Sequence, residues 1–140
     1  MAYDPNNIFA KILRGDAEAC TVFEDDKTLA FMDIMPQTKG HTLVIPKAAA
    51  ENIFDLSPEM LAATILTTRK VATAIRDAFQ PAGLMVGQLN GAMAGQTVFH
   101  LHFHIIPRYE PGGFRFHGRP VSDPGILAEH AAAIRAHIDT

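Results

Sequence analysis

Between residues 97 and 107 the chain reads TVFHLHFHIIP, and from His100 to Ile105 polar and apolar positions alternate without a break. Successive side chains on a strand point to opposite faces. The pattern therefore predicts a strand with His100, His102 and His104 on one face and Leu101, Phe103 and Ile105 on the other. A different rhythm begins at Ser57. Its hydroxyl suits a helix cap, Pro58 a first helical position, and Glu59 the positive end of the helix dipole. Leu61, Ile65, Thr68, Ala72, Ile75 and Phe79 follow at steps of four and three, which predicts the longest amphipathic helix of the chain with these six residues on one face.

Shorter patterns fill the rest. In NNIFAKILRG, Asn6 or Asn7 can cap a short helix carrying Ile8, Phe9, Ile12 and Leu13, and Gly15 can stop it. CTVFEDDKTLAFMD reads as a hairpin turning near Asp25, Asp26 and Lys27. MPQTKG reads as a loop, HTLVIP and GLMVGQLN as strands, and GAMAGQ as a glycine-rich loop. Beyond Pro107 the stretch YEPGGFRFHGRPVSDPG is rich in turn formers, and Asp123 with Pro124 opens a last helix carrying Leu127, Ala131, Ile134 and Ile138. Antiparallel strands flanked by helices make an α+β domain the expected fold class. Residues 1–106 are expected to form the domain, and 107–140 an extension packed on it or on a partner subunit.

The chain has 140 residues, enough for one domain with a sizeable core. A net charge of −3 without a lysine or arginine cluster argues against a nucleic-acid polymer as partner, because such binding needs many paired phosphates. A small phosphorylated ligand needs only a few local donors. No apolar run approaches a membrane span, and the N-terminus does not read as a signal peptide. The single cysteine, Cys20, rules out an internal disulfide and reads as a small strand hydrophobe. These features together lead us to expect a cytoplasmic protein, away from membranes.

Three readings of the histidines follow from their chemistry. They can be a polar strand face, exposed or hydrogen-bonded. They can contribute to a zinc site with His41, although in an ideal strand the outer two Cα atoms lie roughly 13–14 Å apart and no Cys-x-x-Cys or His-Glu-x-x-His accompanies them. They can also serve nucleophilic catalysis on phosphorus. An imidazole with an unperturbed pKa of about 6.5 is largely neutral at physiological pH, and neighbours on its face can stabilise phosphoryl oxygens or a leaving group.

HLHFHII also matches the His-x-His-x-His-x-x signature, x being hydrophobic, of the histidine-triad (HIT) nucleotide-binding superfamily. NIFAKILRGD, VFEDDKTLAFMDIMPQTKGHTLVIPK and LNGAMAGQTVFHLHFHII follow in the expected order, so most of residues 8 to 106 resembles the Hint branch, the purine nucleoside phosphoramidases. The resemblance implies a five-stranded antiparallel sheet and His102 as nucleophile toward the α-phosphorus of a purine nucleotide ester or phosphoramidate (an AMP or GMP conjugate). A nucleotidyl-histidine then yields to water. His104 lies nearer the phosphate or leaving group, His100 supports the arrangement, and His41 stands on the leaving-group side. Asn90, Gly95, Gln96 and Thr97 are implied at the phosphate and Asp33 at the ribose. Ile8, Phe9, Ile12, Phe31, Ile34 and Leu43 are implied around the base. A homodimer is expected, and no cofactor. Two other functions share these residues: dinucleoside-polyphosphate hydrolysis, as in the sister branch, and nucleotide sensing with incidental turnover.

The match departs from the family at two places. Some members bind structural zinc through Cys-x-x-Cys in the first helix plus histidines. Here the corresponding segment is Asn7-Ile8-Phe9-Ala10, and Ala49 stands where a later histidine would help, so no metal is expected. The chain also has no tryptophan, so the Trp-bearing terminus of some Hint proteins is replaced by the longer tail.

Overall fold

Helix α1 (Ile8–Leu13) starts where Asn7 turns its side-chain oxygen onto the Ala10 N–H, and it ends before Gly15, which takes a φ of 84°. The computed structural model describes residues 3–111 and 120–138. After α1 the chain forms β1 (Thr21–Glu24), β2 (Thr28–Met32) and β3 (Thr42–Pro46), then the long helix α2 (Pro58–Phe79). Strands β4 (Gly83–Gln88) and β5 (Phe103–Arg108) follow, and α3 (Pro124–Arg135) comes last. The five strands pair antiparallel in the order β1-β2-β3-β5-β4, the expected α+β architecture of an open sheet with helices.

Strand register places the histidine face. Residues directly opposite in neighbouring strands share a face. Phe31 pairs with Leu43, Leu43 with His104, and His104 with Gly87, so these four cross the sheet in one row. Stepping by two along each strand, Asp33, His41 and His102 belong to the same side. Above this side sits an apolar cluster of Phe9, Leu29, Phe31, Leu43 and Ile45, with Ile12 and Leu13 from α1 against it. The opposite side carries Val22, Ala30, Met32, Val44, Leu101, Phe103 and Ile105, covered by Val71, Ala74 and Ile75 of α2 and by Leu127, Ala131 and Ile134 of α3.

Two sequence expectations shift. The strand predicted from residue 97 begins only at Phe103. Ahead of it the backbone bonds elsewhere: Leu101 N–H donates to Ala50 C=O, and the His100 carbonyl accepts from the His102 ring. The alternation of faces nevertheless continues through these residues, since Leu101 joins Phe103 and Ile105 in the helix-side core. On α2, Thr68 is buried as expected, but Ile65 is exposed and Thr64 and Thr67 lie under the helix instead. Their hydroxyls are satisfied locally, Thr64 donating to Met60 C=O, Thr68 to Thr64 C=O, and Thr67 pairing with Thr28 across to β2. A hydroxyl with a partner is cheap to bury, so the threonines occupy the tight helix–sheet contact. Among the described residues, no helix is long and apolar enough to cross a membrane.

Candidate active site

His102 is 8 % exposed and His41 and His100 are 1 % exposed, so three of these rings are held inside the fold. His104 lies with them, its ring centroid 5.0 Å from that of His102 and 5.3 Å from that of His41. Phe9 of α1 stands edge-on to His102 at 5.0 Å and to Phe31 at 5.3 Å.

Hydrogen-bond partners assign the ring protons. His102 Nδ1 is 2.7 Å from the His100 carbonyl oxygen, which can only accept, so Nδ1 carries the hydrogen and Nε2 keeps its lone pair. Among the described residues nothing bonds that Nε2. His41 Nδ1 accepts from the Gln37 backbone N–H at 3.0 Å, so the His41 hydrogen sits on Nε2. From there it reaches His104 Nδ1 at 3.0 Å, with Asp33 Oδ2 as a second acceptor at 3.4 Å. His104, receiving at Nδ1, carries its own hydrogen on Nε2. The site thus pairs one uncovered ring nitrogen on His102 with one N–H on the neighbouring ring.

Burial holds the basicity of His102 below the ordinary histidine value, against the opposing pull of the His100 carbonyl and Asp33. His41 and His100 are lowered by burial too, His41 against Asp33 and His100 against the Pro46 carbonyl. For His41, whose Nδ1 accepts from the Gln37 N–H, the hydrogen-bond pattern itself requires a neutral ring. Low basicity keeps His102 unprotonated, which a nucleophile needs.

The residues implied at the phosphate form a loop whose amides hold it in shape. The Gln96 side chain is 3 % exposed; it accepts from Gly91 N–H and donates to the Glu51 and Val98 carbonyls. Asn90 Oδ1 accepts from Ile53 N–H, and its amide pairs with Gln88. Both side chains therefore support the loop, while Thr97 is exposed. Gly95 takes a φ of 104°, a conformation that favours glycine. Asp33 accepts from Met35 N–H through Oδ1 and turns Oδ2 toward His41. Of the residues implied at the base, Phe9, Ile12, Phe31 and Leu43 meet in one cluster, while Ile8 and Ile34 are about half exposed.

Among the described residues, two positions bear on metal binding. Asp33, His41 and His104 bring one ligand atom each to within 4.8 Å of one another. A metal there needs the lone pair of His41 Nε2, the atom on which the Gln37 N–H places the hydrogen. Near α1, Ala10 and Ala49 border a cavity with Tyr3 and His100 but offer no ligating side chain, and Asn7 is engaged as the cap of Ala10.

Three contributors were invisible in the sequence. The Gln37 N–H and the Pro46 carbonyl (2.9 Å from His100 Nε2) are backbone groups, which leave no residue-type signal. Tyr3, whose hydroxyl is 2.6 Å from His100 Nδ1, is 97 residues from its partner.

Comparison with known proteins identifies the family. The HIT domain model matches residues 14–111. The Bacillus subtilis protein named hit is 50 % identical over 107 residues, covering 76 % of this chain and 74 % of that one. An adenosine 5′-monophosphoramidase of Schizosaccharomyces pombe is 45 % identical over 101 residues, covering 72 % and 73 %. The crystal structure of a Hit-like protein involved in cell-cycle regulation from Bartonella henselae superposes with a TM-score of 0.91 at 48 % identity, covering 98 % of this chain and all of that one. The chain belongs to the HIT domain family of nucleotide-binding hydrolases.

Proposed function

We propose that this protein hydrolyses purine nucleoside phosphoramidates, or closely related nucleotide esters, through a nucleotidyl-His102 intermediate. The observation that carries this reading is the uncovered Nε2 of His102, whose lone pair is fixed there by the Nδ1–H bond to the His100 carbonyl. Nε2 attacks the α-phosphorus, a phosphorus–nitrogen bond forms to the ring, and the bond to the leaving amine breaks. The amine takes a proton from solvent. Water then attacks the same phosphorus, the bond to Nε2 breaks, nucleoside monophosphate departs, and the proton returns to solvent. His104 acts as a neutral donor. Its Nε2–H stabilises charge developing on the phosphoryl group without giving up the proton, because His41 already fills its Nδ1 acceptor.

Support for the substrate comes from the family and from the adenosine 5′-monophosphoramidase among the relatives. Asp33 is the proposed ribose acceptor. Phe9, Ile12, Phe31 and Leu43 form the proposed apolar base wall, with Ile8 and Ile34 at its rim. The Gly95 to Thr97 loop, held in shape by Asn90 and Gln96, is the proposed phosphate site, with the exposed Thr97 side chain as its proposed donor. The reading extends to a cytoplasmic homodimer: Val86 on edge strand β4, with Ile65 and Leu66 on α2, are exposed apolar side chains that a second copy could cover. Light scattering of the purified protein tests the dimer.

The decisive experiment uses an adenosine phosphoramidate labelled at the α-phosphorus. Quenching in alkaline denaturant during turnover should leave label on the protein, stable in base and labile in acid. Turnover with no labelled protein at any time point would refute the covalent route. A panel comparing phosphoramidates with dinucleoside polyphosphates fixes the leaving-group class, and faster turnover of the polyphosphates would replace the first substrate assignment with the second.

A further inference from the structure

The His102 ring is aimed by a carbonyl, and that carbonyl belongs to a residue with its own anchors. His100 Nε2 lies 2.9 Å from the Pro46 oxygen, which can only accept, so Nε2 carries the His100 hydrogen. The ring, buried and neutral, is left with a lone pair on Nδ1. The Tyr3 hydroxyl, 2.6 Å away, is its donor, and the two rings meet edge-on with centroids 5.7 Å apart. Phe9 stands edge-on to both His100 and His102, at 6.5 and 5.0 Å, so the two imidazoles are packed as a unit.

The geometry points to Tyr3 as a positioning residue for the nucleophile: its O–H fixes the tautomer and seat of His100, and through the His100 carbonyl the aim of His102 Nε2. This rests on the reading of His102 as nucleophile. Tyr3, His100, Ala10 and Ala49 border a cavity of about 350 Å³, and among the described residues only the Tyr3 hydroxyl reaches His100 Nδ1. Remove that donor and Nδ1 becomes a buried acceptor without a protein partner, a state that favours turning the ring over or moving its hydrogen. Either change breaks the bond to Pro46 and loosens the residue whose carbonyl holds His102. The hydroxyl thus supplies with one hydrogen bond an orientation that outer partners provide in many sites by holding the reacting group from behind.

Nitrogen-15 NMR of the histidine rings in the full chain reads this without reference to turnover. In the wild type, His100 should be the Nε2–H tautomer and His102 the Nδ1–H tautomer. A hydrogen on His100 Nδ1 would overturn the proposal at once, with no variant needed. Tyr3→Phe keeps the ring and its edge contact and deletes only the hydroxyl. In this variant His100 should lose its single tautomer. The rate of adduct formation in a single turnover should fall about tenfold, with the Kd for AMP changed by less than about twofold. Unchanged tautomers and an unchanged rate would refute the role. An equal loss of AMP affinity would also refute it, by marking Tyr3 as a general structural support. If the wild type forms no adduct, the catalytic reading falls, while the ring spectra still decide the Tyr3–His100 link.

Discussion

Both faces of the sheet bury polar groups, and they treat them in opposite ways. Under α2, Thr28, Thr64, Thr67 and Thr68 are buried with every hydroxyl paired. Under α1, four histidines are buried and hydrogen-bonded too, yet His102 Nε2 keeps an uncommitted lone pair. A paired buried hydroxyl is inert and contributes to packing. A buried ring with one nitrogen tied and the other open is held rigidly, kept neutral and left reactive. Satisfaction on one side serves stability; its deliberate incompleteness on the other is where chemistry can occur.

Substitutions on each face should separate the two roles. His102→Ala should lower kcat by at least ~10³-fold while the thermal midpoint stays close to wild type, since it removes the nucleophile and little core area. A residual rate near wild type would move the chemistry off His102. On the helix side, Ile75→Ala leaves a cavity at a fully buried position and should destabilise by about 2–5 kcal/mol in urea melts, with kcat per folded molecule unchanged. A matching loss of kcat would mean that the faces are coupled.

Acid should act through the histidine face. His41, His100 and His102 each have a folded-state pKa below the ordinary 6.5, so below that pH the unfolded chain binds protons that the folded chain excludes. Stability from these rings is complete above 6.5 and declines as the pH falls through the window beneath it. Denaturation at pH 7.5 and 5.5 should therefore show a lower midpoint at 5.5, and kcat should hold its plateau to a pH below 6.5. An acid limb centred at or above 6.5 would contradict a buried neutral nucleophile. The smallest effect belongs to Thr67→Val. Thr28 retains Asp25 as a partner, so the loss should be about 1 kcal/mol with no change in rate.

Much of the site was legible because its residues are local in sequence. His100, His102 and His104 announce a common face by their spacing, while the roles of Asp33 and His41, which follow β2 and precede β3, came from the resemblance. The long helix was legible for the same reason, down to its Ser57 cap and Pro58. Ile65 was misread because periodicity ranks residues by hydrophobicity, whereas the contact with the sheet favoured threonines small enough to fit and able to bond their own helix. The start of β5 was misread because strand assignment depends on where backbone bonds go, and those of Leu101 and His100 go to a loop and a side chain.

Composition and spacing by themselves determined the α+β class and the two-faced strand, since each depends on side chains a few positions apart; the resemblance, not the spacing, singled out His102. Which ring nitrogen carries a proton was decided only in three dimensions, by Gln37, Pro46 and the His100 carbonyl. So was the arrival of Tyr3 behind His100. An imidazole's tautomer is set by whichever group happens to face each nitrogen, and the groups that do so here are backbone atoms and a distant hydroxyl that only folding brings near.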